Sequence, residues 1–170
     1  MREHREVVRD CVAAFEAIEP PDWWRAPSPG GWSPAAVALH LCVAYELGRD
    51  VSSGGHGMRL RSSRPVAWLL RTFLLPYILV TKRFPAGVRA PREVRPDEAE
   101  AARLTRGDAS ARLTRVADEA ADVLRDLAAR RPDLRFTHAY FGPLDALTAL
   151  RLLSAHTRHH VRRLALGADR

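Results

Sequence analysis

Residues 152–161 read LLSAHTRHHV and hold three of the seven histidines of the 170-residue chain. On a helix, His156 and His160 lie four residues apart and project from the same face. Leu153 lies one turn before this pair and Leu164 one turn after it, on the same stripe. Because such an apolar stripe faces the core, the pattern predicts that both imidazoles point inward. Imidazole is the most common protein ligand of transition metals, so the rest of the chain has to be searched for a third ligand.

A predicted helix after residue 33 supplies a third inward-facing histidine. Ser33-Pro34 is typical of a helix start, because serine caps free N–H groups and proline suits the first helical position. The helix is predicted to run to about Val51, with His40 in the middle of its apolar face. That face is predicted to comprise Ala36, Val37, His40, Val43, Ala44 and Leu47.

We predict that His40, His156 and His160 bind one divalent metal ion. Three buried imidazoles without partners would cost several kcal/mol in lost hydrogen bonds, and an ion that takes three nitrogens removes that cost. Three protein ligands leave coordination positions open, which is typical of a catalytic rather than a structural site. Three imidazoles suit zinc, nickel, iron and manganese, so the identity of the metal stays open. By its helical spacing, His159 is predicted to flank the site.

Hydrophobic periodicity elsewhere predicts an all-α domain, and no alternation is long enough to predict a strand. The predicted helices cover residues 1–19, 34–51, about 65–82 with a bend at Pro76, 97–131 and 144–166. We expect Gly107-Asp108 to break the 97–131 region, with Asp108 capping the restart, and Gly167 to stop the last helix. The helix at 65–82 falls in a long crossover between the second and the third of the four main helices. This arrangement predicts a four-helix bundle, as a single domain of residues 1–170.

The connections between these helices are rich in proline, glycine and aromatic residues. The expected connections are residues 20–32, 52–64, 84–96 and 137–144. In the first, Trp23, Trp24 and Trp32 are predicted to form an apolar lid over one end of the core, with stacking on a substrate as the less favoured alternative. His56 is predicted to be solvated in a glycine-rich loop.

The formal net charge of +7 and the sequence pI of about 10.6 raise nucleic acid or an anionic membrane surface as partners. The arginines are spread along the whole chain, and zinc-finger spacing and glycine-rich phosphate loops are absent from the sequence. We therefore expect most arginines on a solvated face, expect no nucleic-acid partner, and rank a DNA- or membrane-surface function third. No apolar run is long enough to predict a membrane span, and the charged first ten residues favour a cytoplasmic protein.

Neither cysteine is predicted to act as a nucleophile. Cys11 shares a helical stripe with core residues, and Cys42 lies two residues from His40, on nearly the opposite side of the helix. No general base is predicted either, because the nearby acidic residues fall mostly off the inward stripes. Those residues are Glu46, Asp50, Asp118, Glu119 and Asp122. His138 and Tyr140 are expected to reach the mouth of the pocket from their loop.

Three motifs in this order resemble the DinB-like superfamily. They are GWSPAAVALHL at residues 31–41, HAYFGPL at residues 138–144 and HTRHH at residues 156–160. The resemblance implies a four-helix bundle with a long second-to-third crossover, which is often a homodimer. It also implies a metal triad of one histidine on the second helix and a His-x-x-x-His pair on the last, which corresponds to His40, His156 and His160. Ala139 stands where the most similar branch often has proline.

The resemblance implies a reaction class only in outline. Characterised members of the superfamily include metal-dependent transferases that use low-molecular-weight thiols, so it implies such a cosubstrate and a small-molecule substrate. Our leading hypothesis is a metal-dependent enzyme whose open coordination positions activate a thiol or water. The alternative is a non-catalytic metal-binding module for stress response or dimerisation, with the hydrophobic residues 66–80 as the dimer contact.

Overall fold

The computed structural model describes residues 2–28, 30–50, 57–85 and 88–168, with side chains up to Ala165. Val51 and His56 lie outside these ranges, so the predictions made for them are not addressed by the structure. Helices dominate the described chain, which confirms the predicted all-α class. The elements are α1 (Arg2–Glu16), α2 (Pro34–Asp50), α3 (Arg64–Leu69), α4 (Leu75–Thr81), α5 (Glu98–Ala101), α6 (Arg106–Arg130), β1 (Phe136–His138), β2 (Gly142–Leu144) and α7 (Ala146–Ala168).

The long helices α1, α2, α6 and α7 pack on one another around the main hydrophobic core. Helices α6 and α7 each contact all three of the others. On α1 the three-four spacing brings Val7, Cys11 and Phe15 into the core, where each is buried. The connection from α2 to α6 carries α3, α4 and α5, so the predicted long crossover is present.

Helix α2 begins as predicted, with the Ser33 hydroxyl accepting a hydrogen bond from the Ala36 N–H at 3.2 Å. Its most deeply buried face differs from the predicted one. The fully buried residues there are Ala35, Ala38, Leu39, Leu41, Cys42 and Tyr45. Because α2 is apolar on nearly all sides, hydrophobic periodicity could not select the core-facing side. Of the predicted face, Val37, His40, Ala44 and Leu47 line a cavity instead.

The hydrophobic segment after Ser63 is helical, as predicted, but its irregularity lies before Pro76. The five residues Leu70–Leu74 form a π-helical turn between α3 and α4. Pro76 has no N–H and its ring crowds the carbonyl group four residues earlier. A wider turn in front of the proline relieves this contact and keeps the two helices in one continuous segment.

The expected break at Gly107-Asp108 is wrong by a few residues. Helix α5 ends at Ala101, and α6 begins at Arg106, so Gly107 lies inside the first turn of α6. Thr105 is the N-cap: its hydroxyl accepts a hydrogen bond from the Asp108 N–H at 3.1 Å. The Thr105 hydroxyl in turn donates to the Asp108 carboxylate at 2.6 Å. Asp108 therefore supports the cap from the first turn instead of forming it.

The segment expected to be a plain loop between α6 and α7 is a β-hairpin. Strands β1 and β2 pair antiparallel, with Phe136 opposite Leu144 and His138 opposite Gly142. Three residues per strand are too few to show alternation in the sequence. Asp145 caps α7 by accepting the Thr148 N–H at 2.9 Å. The expected stop at Gly167 is also wrong, because α7 continues through Gly167 to Ala168.

The three tryptophans of the connection between α1 and α2 do not form one lid. Trp23 is fully buried and its indole N–H donates to the Leu104 carbonyl oxygen at 2.7 Å. Trp24 is 48% exposed. Trp32 lies apart from both, against the His40 ring. Among the described residues, no helix combines the length and the apolar character needed to cross a bilayer.

Candidate metal centre

Two helices bring His40, His156 and His160 together at one point. The His40 Nε2 atom of α2 lies 3.1 Å from His156 Nε2 of α7. His160 Nε2 also lies 3.1 Å from His156 Nε2. One candidate ligand atom from each residue falls within 4.8 Å of the others. His156 and His160 converge because one helical turn separates them, and α2 crosses α7 so that His40 meets the pair. We call these three residues the histidine cluster.

The hydrogen bond on the far side of His40 sets its tautomer. His40 Nδ1 lies 2.5 Å from the Val94 carbonyl oxygen, which can only accept, so Nδ1 carries the proton. The lone pair of His40 is therefore on Nε2, which faces the cluster. This is the arrangement of a metal-binding histidine, whose second nitrogen is held by a carbonyl or carboxylate group.

Hydrogen bonding within the histidine cluster cannot satisfy all three nitrogens. His156 Nε2 carries either one proton or one lone pair, and it lies 3.1 Å from two other nitrogens. If it carries a lone pair, it faces the lone pair of His40. If it carries a proton, that proton cannot be aimed at both neighbours. A cation shared by three lone pairs removes the conflict, so these residues fit a divalent transition metal.

Burial keeps the imidazoles of the cluster in their neutral, ligating form. The pKa of His156 is well below its usual value, first because of burial and then because of the neighbouring His160 and His40. The pKa of His160 is also well below its usual value, with burial as the main cause. Burial lowers the pKa of His40 as well, and the bond to Val94 partly opposes this effect. Metal binding at such a site does not first require loss of a proton from these rings.

Aromatic rings surround the cluster. The Trp32 ring centroid lies 4.8 Å from that of His40, and Phe84 lies 5.5 Å from His156. His159 stays outside the cluster, with its ring 5.3 Å from Phe84 and 5.4 Å from His160. Helical spacing places His159 at this flank. The positions of Trp32 and Phe84 were not predictable, because both lie in connections without periodicity.

The histidine cluster opens into a cavity of about 1800 Å³. Much of its wall is apolar and comes from α2, the π-helical turn, α4 and α7. Wall residues include Val37, Leu47, Leu74, Ile78, Leu153 and Leu164. Several arginines also line it, namely Arg25, Arg61, Arg89, Arg95 and Arg163.

The hairpin residues His138 and Tyr140 line the same cavity, where the sequence placed them. His138 is not part of the cluster. Its ring stacks on Phe141 with centroids 4.8 Å apart, and its Nδ1 accepts the Tyr140 N–H at 3.2 Å. Burial lowers the pKa of His138 to about 4, so it is neutral at physiological pH. The Tyr140 hydroxyl donates to the Arg89 carbonyl oxygen at 2.5 Å.

The side chains expected to lie away from the site do so. Glu46, Glu119 and Asp122 form ion pairs with Arg112, Arg49 and Arg125, respectively, and none of the three acids lines the cavity. Both cysteines are buried in the core.

Burial also makes the cysteines inert. It raises the pKa of the Cys42 thiol to about 12, and it raises that of Cys11 further. A thiolate is the reactive form of cysteine, so neither residue can supply a nucleophile.

His4 is a buried histidine that sequence reasoning missed. Its Nδ1 lies 2.9 Å from Ser154 Oγ and its Nε2 lies 3.3 Å from the Ala117 carbonyl oxygen. It thereby links α1 to α6 and, through Ser154, to α7. Ser154 lies two residues before His156. The sequence signal for its burial is its position one turn before Val7 and Val8 on the buried stripe of α1. Both ring nitrogens have protein partners, so His4 is a structural residue.

Comparison with known proteins connects this geometry to a family. A sequence model described as the DinB superfamily matches residues 3–164, a range that contains the whole histidine cluster. No curated protein and no solved structure matches the chain.

Proposed function

The chain belongs to the DinB superfamily, and we propose that it is a metal-dependent enzyme in which His40, His156 and His160 hold one divalent ion. The observation that carries this proposal is the approach of His156 Nε2 to two other imidazole nitrogens at 3.1 Å each. Zinc, nickel, iron and manganese all suit three imidazoles. The proximity of their ring nitrogens supports the role of all three histidines as ligands.

The bound ion would lower the pKa of a thiol or of water at an open coordination position. The protein's own residues prepare this site. The Val94 carbonyl group orients His40, and the Trp32 and Phe84 rings pack against His40 and His156. A site of low polarity strengthens the attraction between an anionic ligand and the cation.

We favour a low-molecular-weight thiol over water as the activated group. Ordinary pockets for one ligand measure about 300–1,000 Å³, whereas this cavity measures about 1800 Å³. That volume accommodates a thiol cosubstrate together with a small electrophilic substrate. Because Cys11 and Cys42 are buried in the core, the thiol has to come from outside the chain. In such a transfer the thiol loses its proton, a sulfur–carbon bond forms, and the leaving group departs with its electron pair.

Metal analysis of the purified protein tests the site. Protein expressed in medium that contains zinc, nickel, iron and manganese should contain about one equivalent of one of these metals. His156→Ala should lose the metal. His138→Ala is the matched control, because His138 lines the same cavity outside the cluster, and it should keep the metal. Metal-free wild-type protein under these conditions contradicts the proposal.

Activity assays then separate thiol transfer from hydrolysis. Metal-loaded protein is incubated with a small electrophile and, in turn, glutathione, bacillithiol or mycothiol, and loss of free thiol is followed. We expect metal-dependent consumption of one thiol that His156→Ala abolishes. Metal-dependent ester or amide hydrolysis without thiol consumption would select water instead. If neither reaction occurs and chelation only lowers the melting temperature, the site is structural.

We extend the proposal to a homodimer that acts on a small-molecule substrate, as the family resemblance implies, and we propose a cytoplasmic location for it. Light scattering after size-exclusion chromatography tests the oligomeric state directly. A mass of twice 19.0 kDa supports the dimer. A mass that stays at one chain across protein concentrations contradicts it.

A further inference from the structure

The excess of basic over acidic residues falls in one segment of the chain. Between Asp50 and Glu93 there is no acidic residue, whereas this stretch contains eight basic ones. They are Arg59, Arg61, Arg64, Arg71, Lys82, Arg83, Arg89 and Arg92. Because the whole chain has 27 basic and 20 acidic residues, the remainder carries 19 basic against 20 acidic residues. Residues 51–92, which we call the acid-free segment, therefore account for the net charge of +7.

The described part of the acid-free segment also carries most of the exposed large apolar side chains. Along α3, the π-helical turn and α4, exposed residues recur every three or four positions and form one apolar stripe. The stripe comprises Val66 (45% exposed), Leu69 (47%), Phe73 (67%), Tyr77 (51%) and Val80 (80%), with Trp68 (53%) beside it. The opposite side of the same helical segment is buried, since Leu75 and Ile78 pack with Phe141 and Leu144.

Basic side chains lie at both ends of this stripe. Arg64 is the first residue of α3 and is exposed, and Arg83 follows the end of α4 and is also exposed. Arg162 of α7 reaches the end of the stripe near Arg83, where its guanidinium donates to the Lys82 carbonyl oxygen at 3.0 Å. The Lys82 ammonium forms an ion pair with the Glu3 carboxylate at 2.9 Å. In the described part of the chain, no ion pair of this kind involves Arg64 or Arg83.

We propose that this face binds peripherally to the surface of an anionic lipid bilayer. The helical segment would lie in the plane of the interface, with the apolar stripe among the upper acyl chains and the arginines against lipid phosphates. Trp68 and Tyr77 suit this position, because amphipathic aromatic rings are enriched at the bilayer–water boundary. The stripe supplies the apolar contact and the acid-free segment supplies the electrostatic attraction, which together are the two signals that stable peripheral binding requires.

Charge argues against a second copy of this chain as the occupant of the stripe. A two-fold interface places the same surface on both sides, so it would bring two acid-free segments together. Their like charges would repel, because the segment itself contains no acidic residue, and Glu3 offsets the charge of Lys82 but not that of Arg64 or Arg83. Nucleic acid would attract the arginines, but it offers no apolar partner for Phe73 and Val80. An anionic bilayer satisfies both features.

Vesicle flotation with the full chain tests this proposal. One vesicle preparation contains phosphatidylcholine alone, and the other contains about one part phosphatidylglycerol to two parts phosphatidylcholine, at low salt and at about 1 M salt. We expect binding to the anionic vesicles to be at least about tenfold stronger than to the neutral ones and to weaken with salt.

Two matched pairs of variants assign the contacts. Phe73→Ser should weaken binding to anionic vesicles at least about tenfold, because it removes a large inserted side chain. Trp24→Ser, which changes an exposed tryptophan outside the segment, should leave binding unchanged. Arg64→Gln with Arg83→Gln should weaken binding about tenfold or more. Arg5→Gln with Arg103→Gln removes the same charge elsewhere and should have a much smaller effect. Brominated acyl chains should quench the fluorescence of Trp68, and Trp68→Phe should abolish that quenching.

Three results overturn the proposal. The first is a vesicle result: either the wild-type chain fails to bind anionic vesicles at low salt, or the control variants lose binding equally. The second is a dimer that Phe73→Ser dissociates without any vesicle binding, which assigns the stripe to a second copy. The third is retention on duplex DNA, without vesicle binding, that the arginine variants reduce and Phe73→Ser does not.

Discussion

His40 Nε2 and His156 Nε2 lie 3.1 Å apart, although 116 residues separate them in the sequence. Two like atoms at this distance need a shared proton or a shared cation. His40 has already used its proton on the Val94 carbonyl oxygen, and His156 is approached by His160 as well. A shared divalent cation would satisfy all three nitrogens, which gives the first prediction below.

A divalent metal should stabilise the folded chain. At a free metal concentration of a hundred times Kd, binding to the folded state alone adds about 2.7 kcal/mol. For a chain of this size that corresponds to a rise in melting temperature of about 5–10 °C. Thermal unfolding with and without chelator measures it. His160→Ala should abolish the shift, whereas His159→Ala, one position away and outside the cluster, should retain it. A shift of equal size in both variants would place the metal elsewhere.

His138 should make the stability of the chain sensitive to acid. Its pKa is about 4 in the folded chain and about 6.5 when unfolded, so between these values the unfolded state binds more protons. The free energy of unfolding should therefore fall as pH is lowered from about 6.5 to about 4, with about 3 kcal/mol due to this residue. Urea titrations across this range measure it. In His138→Gln, which cannot titrate, the decline should be smaller by about that amount. An identical decline in the variant would show that His138 is not the source.

Gly107→Ala should stabilise the protein. Gly107 lies in the first turn of α6, its φ is not positive, and the space that an alanine methyl group would occupy has no other atom within 4 Å. Replacing glycine with alanine where the backbone conformation suits alanine gains about 0.4–1 kcal/mol, mainly by reducing the entropy of the unfolded chain. Chemical denaturation measures this gain. If Gly107 instead broke the helix in a glycine-specific conformation, as its sequence position suggests, the substitution would destabilise the chain.

Trp23→Phe should destabilise the protein by about 2–3 kcal/mol. The substitution removes a fully buried indole and leaves the Leu104 carbonyl oxygen without its donor at 2.7 Å. Trp24→Phe is the matched control, because Trp24 is the neighbouring residue and is 48% exposed. It should change the free energy of unfolding by less than about 0.5 kcal/mol. Equal effects of the two substitutions would contradict the assignment of Trp23 alone to the core.

Helical periodicity was sufficient to predict the class of the fold and to place three histidines for a common site. His156 and His160 share a face by spacing alone, and the cap at Ser33 fixed the start of the helix that carries His40. Periodicity failed on α2, where apolar residues on all sides hid which face meets the core. It also missed the short β1–β2 hairpin, since three residues per strand give no readable pattern.

The surroundings of the site could not be predicted, because they come from the crossover. Val94, Phe84 and Trp32 lie in connections whose path depends on tertiary contacts and not on a local repeat. The capping pair at α6 shows the same limit on a smaller scale. Thr105 and Asp108 both carry capping side chains, and the contacts of the folded chain decided which of them is the N-cap.

Anomalous diffraction at the absorption edge of the bound metal tests the central claim most directly. Crystals of metal-replete protein should show one strong peak among the Nε2 atoms of His40, His156 and His160, about 2.0–2.2 Å from each. The absence of a peak at that position, or a single peak on other residues, would contradict the assignment of the histidine cluster as the metal centre.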